Sequence, residues 1–178
     1  MPVSSGWQRV TPVAGEVWAC RMAQQEPGKD MTDDPVVTCR RVGAGAVIAV
    51  HGPLFNDYYL GHYPMLRRFI AGLVERAGLP WQVTLDAPAR LELVQRRRGA
   101  DLVLNLINRG AGEALSPQRV IVEELPPVMD VTLRVSRAAA PQSVVTIPAD
   151  PAATWRHADG VLEIRVPRVD VHTAIVVK

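Results

Sequence analysis

Residues 36–79, VVTCRRVGAGAVIAVHGPLFNDYYLGHYPMLRRFIAGLVERAGL, decide how the rest of the chain is read. Val36, Val37, Thr38 and Cys39 form a β-rich run, and Val42-Gly43-Ala44-Gly45 supplies a tight turn. Ala46 to Val50 is a short continuous apolar run, the pattern of a strand covered on both faces. Gly52-Pro53 takes the chain out of the sheet, and 54–62 reads as an aromatic loop. Met65, Leu66, Phe69, Ile70, Leu73 and Val74 then recur at the three-and-four spacing of an amphipathic helix, with Arg67, Arg68, Glu75 and Arg76 on its opposite face. Pro64 suits a first-turn position, and Gly78 followed by Pro80 marks the stop. This is the one helix the sequence announces.

Outward from that stretch, Gly15 to Ala23 is a strand candidate and 24–35 a polar connection rich in Pro, Gly and Asp. Three strands therefore precede the helix, grouped antiparallel because the turn at 43–45 is so short. After the helix the composition changes. From Trp81 onward only short β-type runs occur, at 81–85, 90–96, 101–108, 119–124, 129–136, 142–147, 153–157, 161–166 and 171–177, separated by Pro, Gly and polar turns. Such spacing predicts an antiparallel β-sandwich of Ig-like type. In 131–135 and 161–166 the pattern alternates, so Thr132, Arg134, Glu163 and Arg165 are expected to face water. The expected fold class is α+β: a partial α/β sheet with one main amphipathic helix over 1–79, then the sandwich over 80–178. Three strands and one helix in about 80 residues make a small core, and one helix covers only one face of such a sheet. A neighbouring domain, a partner or a longer parent chain is expected to complete it.

Composition narrows the function. With 178 residues, 48% hydrophobic and 21% charged, the chain has the profile of a globular protein. A net charge of +2, with basic residues spread rather than striped with aromatics, argues against a nucleic-acid partner. No run reaches the roughly 20 apolar residues of a membrane span, and 1–10 lacks a secretory pattern, so the expected location is the cytoplasm. Cys20 and Cys39 show no metal or redox spacing and are expected to be free thiols.

The segment from His51 to His62 concentrates Asn56, Asp57, Tyr58, Tyr59 and Phe55 between a strand and a helix. Rings stack on pyranose faces and amides or carboxylates bind hydroxyls, so this stretch is a candidate carbohydrate or partner contact. The plainer reading is that the same aromatics anchor the segment to the core or to another subunit. His51 and His62 have no third metal ligand at useful spacing. Trp155 is a second candidate stacking platform, with an edge Trp covering the core as its plainer reading. Gly43-Ala44-Gly45 precedes a strand, not a helix, and so is a hairpin turn rather than a phosphate loop. Arg96-Arg97-Arg98-Gly99 reads as a solvated hairpin tip, and Asn105 or Asn108 as hydrogen-bonding an adjacent loop. Nothing nominates a pair of carboxylates for glycoside hydrolysis, a nucleophile elbow, a metal or a cofactor.

The pattern GxGxVxxV, carried by Gly43, Gly45, Val47 and Val50, is followed by PxLRxxIxxLV, carried by Pro64, Leu66, Arg67, Ile70, Leu73 and Val74. A hairpin then contains Leu91, Leu93 and the run Leu102 to Asn108. Together these resemble the C-terminal part of multidomain glycoside hydrolases of the family 42 β-galactosidase type. In that group a catalytic TIM barrel is followed by a trimerisation domain of glutamine-amidotransferase-like fold and then a small β-sandwich. The resemblance implies that 1–79 is the closing part of the trimerisation domain and that the catalytic barrel lies outside this chain. It carries over no catalytic residue. It implies an accessory and assembly role, with another copy of the chain or the barrel as partner. The alternatives are a stand-alone carbohydrate-binding module using Tyr58, Tyr59 or Trp155, and a small enzyme with its site in 51–62.

Overall fold

The computed structural model describes residues 6–23, 31–61, 63–110 and 124–178. The chain divides into two compact units, Met1–Leu79 and Pro80–Lys178. The described residues are mostly β, with two short helices and three antiparallel sheets.

In the first unit β1 (Glu16–Met22), β2 (Met31–Val42) and β3 (Gly45–Val50) form one sheet with β2 in the middle. Val42 pairs with Gly45 across the turn, where Gly43 has φ 58, a left-handed conformation that costs little without a Cβ. Pro35 lies inside the central strand opposite Cys20, and the β1–β2 register slips between Val17 and Met22. Proline cannot donate to the ladder, and such irregularities are where sheets accept it. β2 begins at Met31, so 31–35, read from sequence as connection, belongs to the strand; 24–30 lies outside the described residues.

Two helices follow, where the sequence announced one. α1 (Leu54–Gly61) occupies the stretch expected to be a loop, and α2 (Pro64–Arg76) is the amphipathic helix. Asp57 N–H closes the first turn of α1 on the Pro53 carbonyl at 2.8 Å. Eight residues make a marginal helix in water, so its packing matters: Leu54 is fully buried. In α2, Leu66 is buried and Phe69, Ile70, Leu73 and Val74 are half-buried, whereas Met65 is exposed. Pro64 sits in the first turn, and Gly78 with φ 65 ends the helix, its N–H bonded to the Glu75 carbonyl at 2.9 Å. The Arg76 guanidinium lies 4.5 Å from the Trp18 ring centroid, which ties the end of α2 to β1.

Among the described residues of this unit, Val36, Val37, Cys39, Leu54 and Leu66 are the buried apolar ones. β3 departs from the double burial expected of it. It is an edge strand; Val47 opposite Arg40 is 57% exposed, and Ile48 to Val50 are only half-buried.

In the second unit two four-stranded sheets face one another. One has the order β4 (Val83–Asp86), β7 (Val128–Ser136), β10 (Val161–Val169), β9 (Thr154–Ala158). The other has β5 (Leu91–Arg98), β6 (Asp101–Asn108), β11 (His172–Val177), β8 (Val144–Ile147). Leu102, Leu104, Leu106 and Ile175 of the second sheet share one core with Val131, Leu133, Val135, Leu162, Ile164 and Val166 of the first. Period-two alternation on both sheets supplies these residues, each pointing the same way along its strand. Eight of the nine expected strands fall among the described residues; the ninth, 119–124, lies almost wholly outside them. Asp159 and Gly160, at φ 50 and 75, make a two-residue turn of the kind that suits sheet twist and closes β9 onto β10. Arg96, Arg97 and Arg98 are exposed at the β5–β6 tip, with Arg98 paired to Asp101.

Candidate functional site

The residues singled out by sequence fall into two groups, one in each unit. His51, just after β3, is used by the fold. Its N–H donates to the Val36 carbonyl at 2.9 Å, its carbonyl accepts from Gln8 N–H at 2.8 Å, and its Nε2 shares a 2.9 Å hydrogen bond with Thr38 Oγ1. Backbone and ring are thus both tied to the β2–β3 neighbourhood rather than presented to a ligand. Asn56, Asp57, Tyr58 and Tyr59 lie on α1, with Asn56 and Tyr59 exposed. His62 lies outside the described residues.

Because α1 is helical, Phe55 and Tyr59 stand one turn apart on the same face. They are 60% and 68% exposed, and Leu60, Tyr63 and Met65 are exposed as well. Beside them an apolar groove of about 360 Å³ is lined by Ile48, Val50, Phe55, Ile70, Leu73 and Leu79. The helix therefore sorts the aromatic stretch into one buried anchor, Leu54, a half-buried Tyr58, and large exposed apolar side chains at Phe55, Tyr59 and Leu60.

Trp155 lies in the other unit, on the edge strand β9. It faces Ile164, a core residue, in the β9–β10 register, so it stands at the rim of the sandwich interior and is 42% exposed. A cavity of about 290 Å³ at that rim is lined by Trp155, Ile164, Val144, Thr146 and Asp150. Asp150 shapes the adjoining loop: its N–H donates to Thr146 Oγ1 at 2.8 Å, and its Oδ1 accepts from Ala152 N–H at 2.9 Å.

The outer face of the same sheet holds a cluster that alternation alone does not predict. Glu163, expected to face water, is 8% exposed. Arg134 on β7 and Arg156 on β9 are its register partners, and Arg165 lies two residues on along β10. Arg156 Nε and Arg165 Nη2 donate to Glu163 Oε1 at 3.2 and 3.0 Å, and Arg134 Nε lies 3.5 Å from Oε2. The three guanidinium groups cover the carboxylate. The hydrogen bond from Arg156 in the first place, then that from Arg165, holds the Glu163 carboxyl below the usual range against the opposing effect of desolvation. The same pair raises the Arg156 guanidinium. The sequence signal for this was the Glu163-Arg165 spacing on one strand face; the other two arginines come from neighbouring strands and need the register.

The arrangement is unsuited to acid catalysis. A general acid near neutrality needs a raised carboxyl pKa, whereas Glu163 and the Arg168-paired Asp170 are both lowered. Among the described residues no group of three or more His, Cys, Asp and Glu could hold a metal ion. Cys20 and Cys39 are free thiols, half-buried and buried. Among the described residues no helix is long and apolar enough to cross a membrane.

Asn108 is structural. Its Nδ2 donates to the carbonyls of Pro126 and Asp170 at 2.9 and 2.7 Å, and its Oδ1 accepts from Gly110 N–H at 3.0 Å. Asn105 Oδ1 accepts from His172 Nε2 at 3.1 Å.

No protein-family model and no curated protein matches the sequence. The fold is similar to part of α-L-fucosidase isoenzyme 2 from Paenibacillus thiaminolyticus, with TM-score 0.63 and 16% identity, covering 92% of this chain and 26% of the fucosidase. Two structures of Gan42B, a GH42 β-galactosidase, one of them a catalytic mutant from G. stearothermophilus, give TM-scores of 0.39 at 14% and 15% identity. They cover 82% of this chain and 16% of theirs. The chain thus spans about a quarter of the fucosidase it resembles, and that likeness is one of fold.

Proposed function

We propose that this chain is a non-catalytic accessory and assembly region of a glycoside-hydrolase-like protein. In this reading residues 1–79 are the closing part of an amidotransferase-like trimerisation domain and 80–178 its companion sandwich. The observation that carries the reading is the likeness of fold along 92% of the chain to about a quarter of an α-L-fucosidase, which leaves most of that enzyme outside the matched part. The exposed row Phe55, Tyr59 and Leu60 beside the apolar groove supports an assembly role, since surface of this kind is stabilised by being covered. The partner is a second copy of the chain or the chain that bears the catalytic barrel, and the sugar chemistry belongs to that barrel.

A second reading, a carbohydrate-binding sandwich, is favoured by one observation: Trp155 is partly exposed at a cavity that also contains Asp150, a ring beside a hydrogen-bonding group. The two readings part on a single experiment. Light scattering of the purified chain at several concentrations, with and without a panel of fucosides, galactosides and other glycans, yields an oligomer indifferent to sugar if the assembly reading holds. A monomer that binds a glycan, with binding abolished by Trp155→Ala, overturns it in favour of the second.

A further inference from the structure

The guanidinium groups around Glu163 outnumber the charge they answer. Arg134 and Arg156 lie directly opposite Glu163 on β7 and β9, and Arg165 is diagonal to both. One guanidinium balances one carboxylate, and like charges gathered at neighbouring sheet positions repel. Among the described residues no second carboxylate comes within ion-pair distance of these three arginines, so two positive charges stay uncompensated. The other acidic residue of this register, Asp86, pairs with Thr132 from the edge strand β4, two strands away from Arg165. Holding one carboxylate in place does not account for the excess.

The uncompensated charge comes with uncommitted donors. Glu163 accepts from Arg156 Nε and from Arg165 Nε and Nη2. A guanidinium carries five N–H donors in a fixed fork, so both Nη groups of Arg156 and one of Arg165 lie outside these bonds. The side chains of Arg156 and Arg165 are 71% and 65% exposed, which turns those donors outward. The two guanidinium groups are also held in place, because Glu163 bonds to each of them, and less freedom is then lost when a ligand binds. They border an open recess of about 370 Å³ lined by Thr154, Trp155, Arg156, Glu163 and Arg165. Thr154, opposite Arg165 in the register, adds a hydroxyl to its wall.

Positive charge and spare N–H donors select an anion. A carboxylate offers its two oxygens in one plane and matches one fork, whereas a tetrahedral oxyanion presents separate oxygens to two forks reaching in from neighbouring strands. We propose that this recess on the outer face of the sandwich binds a sulfate or phosphate group through the outward N–H groups of Arg156 and Arg165. Arg134 adds its charge from β7, and Glu163 fixes the guanidinium groups. The site depends on neither the assembly role nor the stacking of a sugar on Trp155.

The test uses the full chain near neutral pH. Sodium chloride is exchanged for sodium sulfate, phosphate or acetate at constant ionic strength, so that general screening does not pass for binding. Nitrogen-15 NMR follows the arginine Nε–H signals, which Arg156→Lys and Arg165→Lys assign. Sulfate or phosphate is expected to move the Arg156 and Arg165 signals saturably and to bind at least about fivefold more tightly than acetate, the size of effect expected from one hydrogen bond. Each lysine variant keeps the charge but loses the fork, and should weaken the better anion by about fivefold. Glucose 6-sulfate and glucose 6-phosphate distinguish the source: an ester tighter than the free ion identifies an esterified ligand, an ester no tighter identifies the free ion, and both results uphold the site. Absence of a saturable shift with sulfate and phosphate, acetate binding as tightly as either, or an unchanged affinity in both lysine variants overturns the proposal. If a lysine variant does not fold, the anion series on the parent chain decides the question by itself.

Discussion

Arg156 on β9 donates its Nε–H to Oε1 of Glu163 on β10 at 3.2 Å, from the position directly opposite in the antiparallel pair. The bond joins an edge strand to its neighbour through side chains as well as through the ladder. It also explains how a carboxylate can be 8% exposed on an outer sheet face and stay ionised: three arginines replace the water it loses.

The pH dependence of this cluster has a fixed sign. The folded-state pKa of Glu163 is depressed, so its contribution is fully present above the ordinary carboxylate range, near 4.5 for the free group, and is lost as pH falls through the folded value. Glu163→Gln should therefore be less stable than the parent at neutral pH, with a difference that narrows steadily under acid. Urea midpoints from about pH 7 down to about pH 3 measure it. A difference that stays constant or widens on acidification contradicts this explanation of the cluster.

Asn108 bonds to two loop carbonyls and one loop N–H from a site only 6% exposed. Asn108→Leu keeps the branched shape but leaves those groups without their partner. Equilibrium unfolding should show a loss of about 2–3 kcal/mol. A neutral substitution would mean that water serves the loop equally well.

Leu133 is fully buried within the core shared by the two sheets of the sandwich. Leu133→Ala should cost about 2–5 kcal/mol in denaturant unfolding, the transfer of the lost atoms plus the cavity left behind. A cost below about 1 kcal/mol would show that the two sheets do not share a well-packed core.

Gly52 accepts the Trp7 indole against its backbone. Gly52→Ala should displace that ring and destabilise the first unit by about 1–3 kcal/mol, with a red shift of tryptophan fluorescence as the ring meets water. An unshifted spectrum would show that Trp7 does not pack there.

Much of the sandwich was legible because alternation at 131–135 and 161–166 is a direct consequence of the pleat, and Asp159-Gly160 names its own turn. The α1 helix was not. Its eight residues are apolar or aromatic around most of their circumference, so no polar stripe signals the period, and the buried Leu54 that holds it is a tertiary fact. Double burial of 46–50 failed for a related reason. An apolar run tells that a strand can be covered, whereas the place of β3 at the sheet edge comes from strand order. The candidate site was legible only in part. Tyr59 and Trp155 are open to solvent as their types allow, but His51 is occupied by Thr38, and no spacing in one strand reveals a partner on another. The Glu163 cluster was missed on the same ground, since Arg134 and Arg156 reach it through register.

The assembly role proposed for this chain rests on the exposed apolar row of α1, and two charges placed in that row put it to the test. Light scattering is run on the parent chain and on its Phe55→Glu, Leu60→Glu double variant, each over a range of concentrations. The expected result is a mass well above the 19.5 kDa of one chain for the parent, and a fall to the monomer in the variant with its fold intact by circular dichroism. A parent that stays at 19.5 kDa at every concentration would contradict assembly through a second copy of the chain, and an oligomer that the two charges leave undisturbed would contradict assembly through the α1 row.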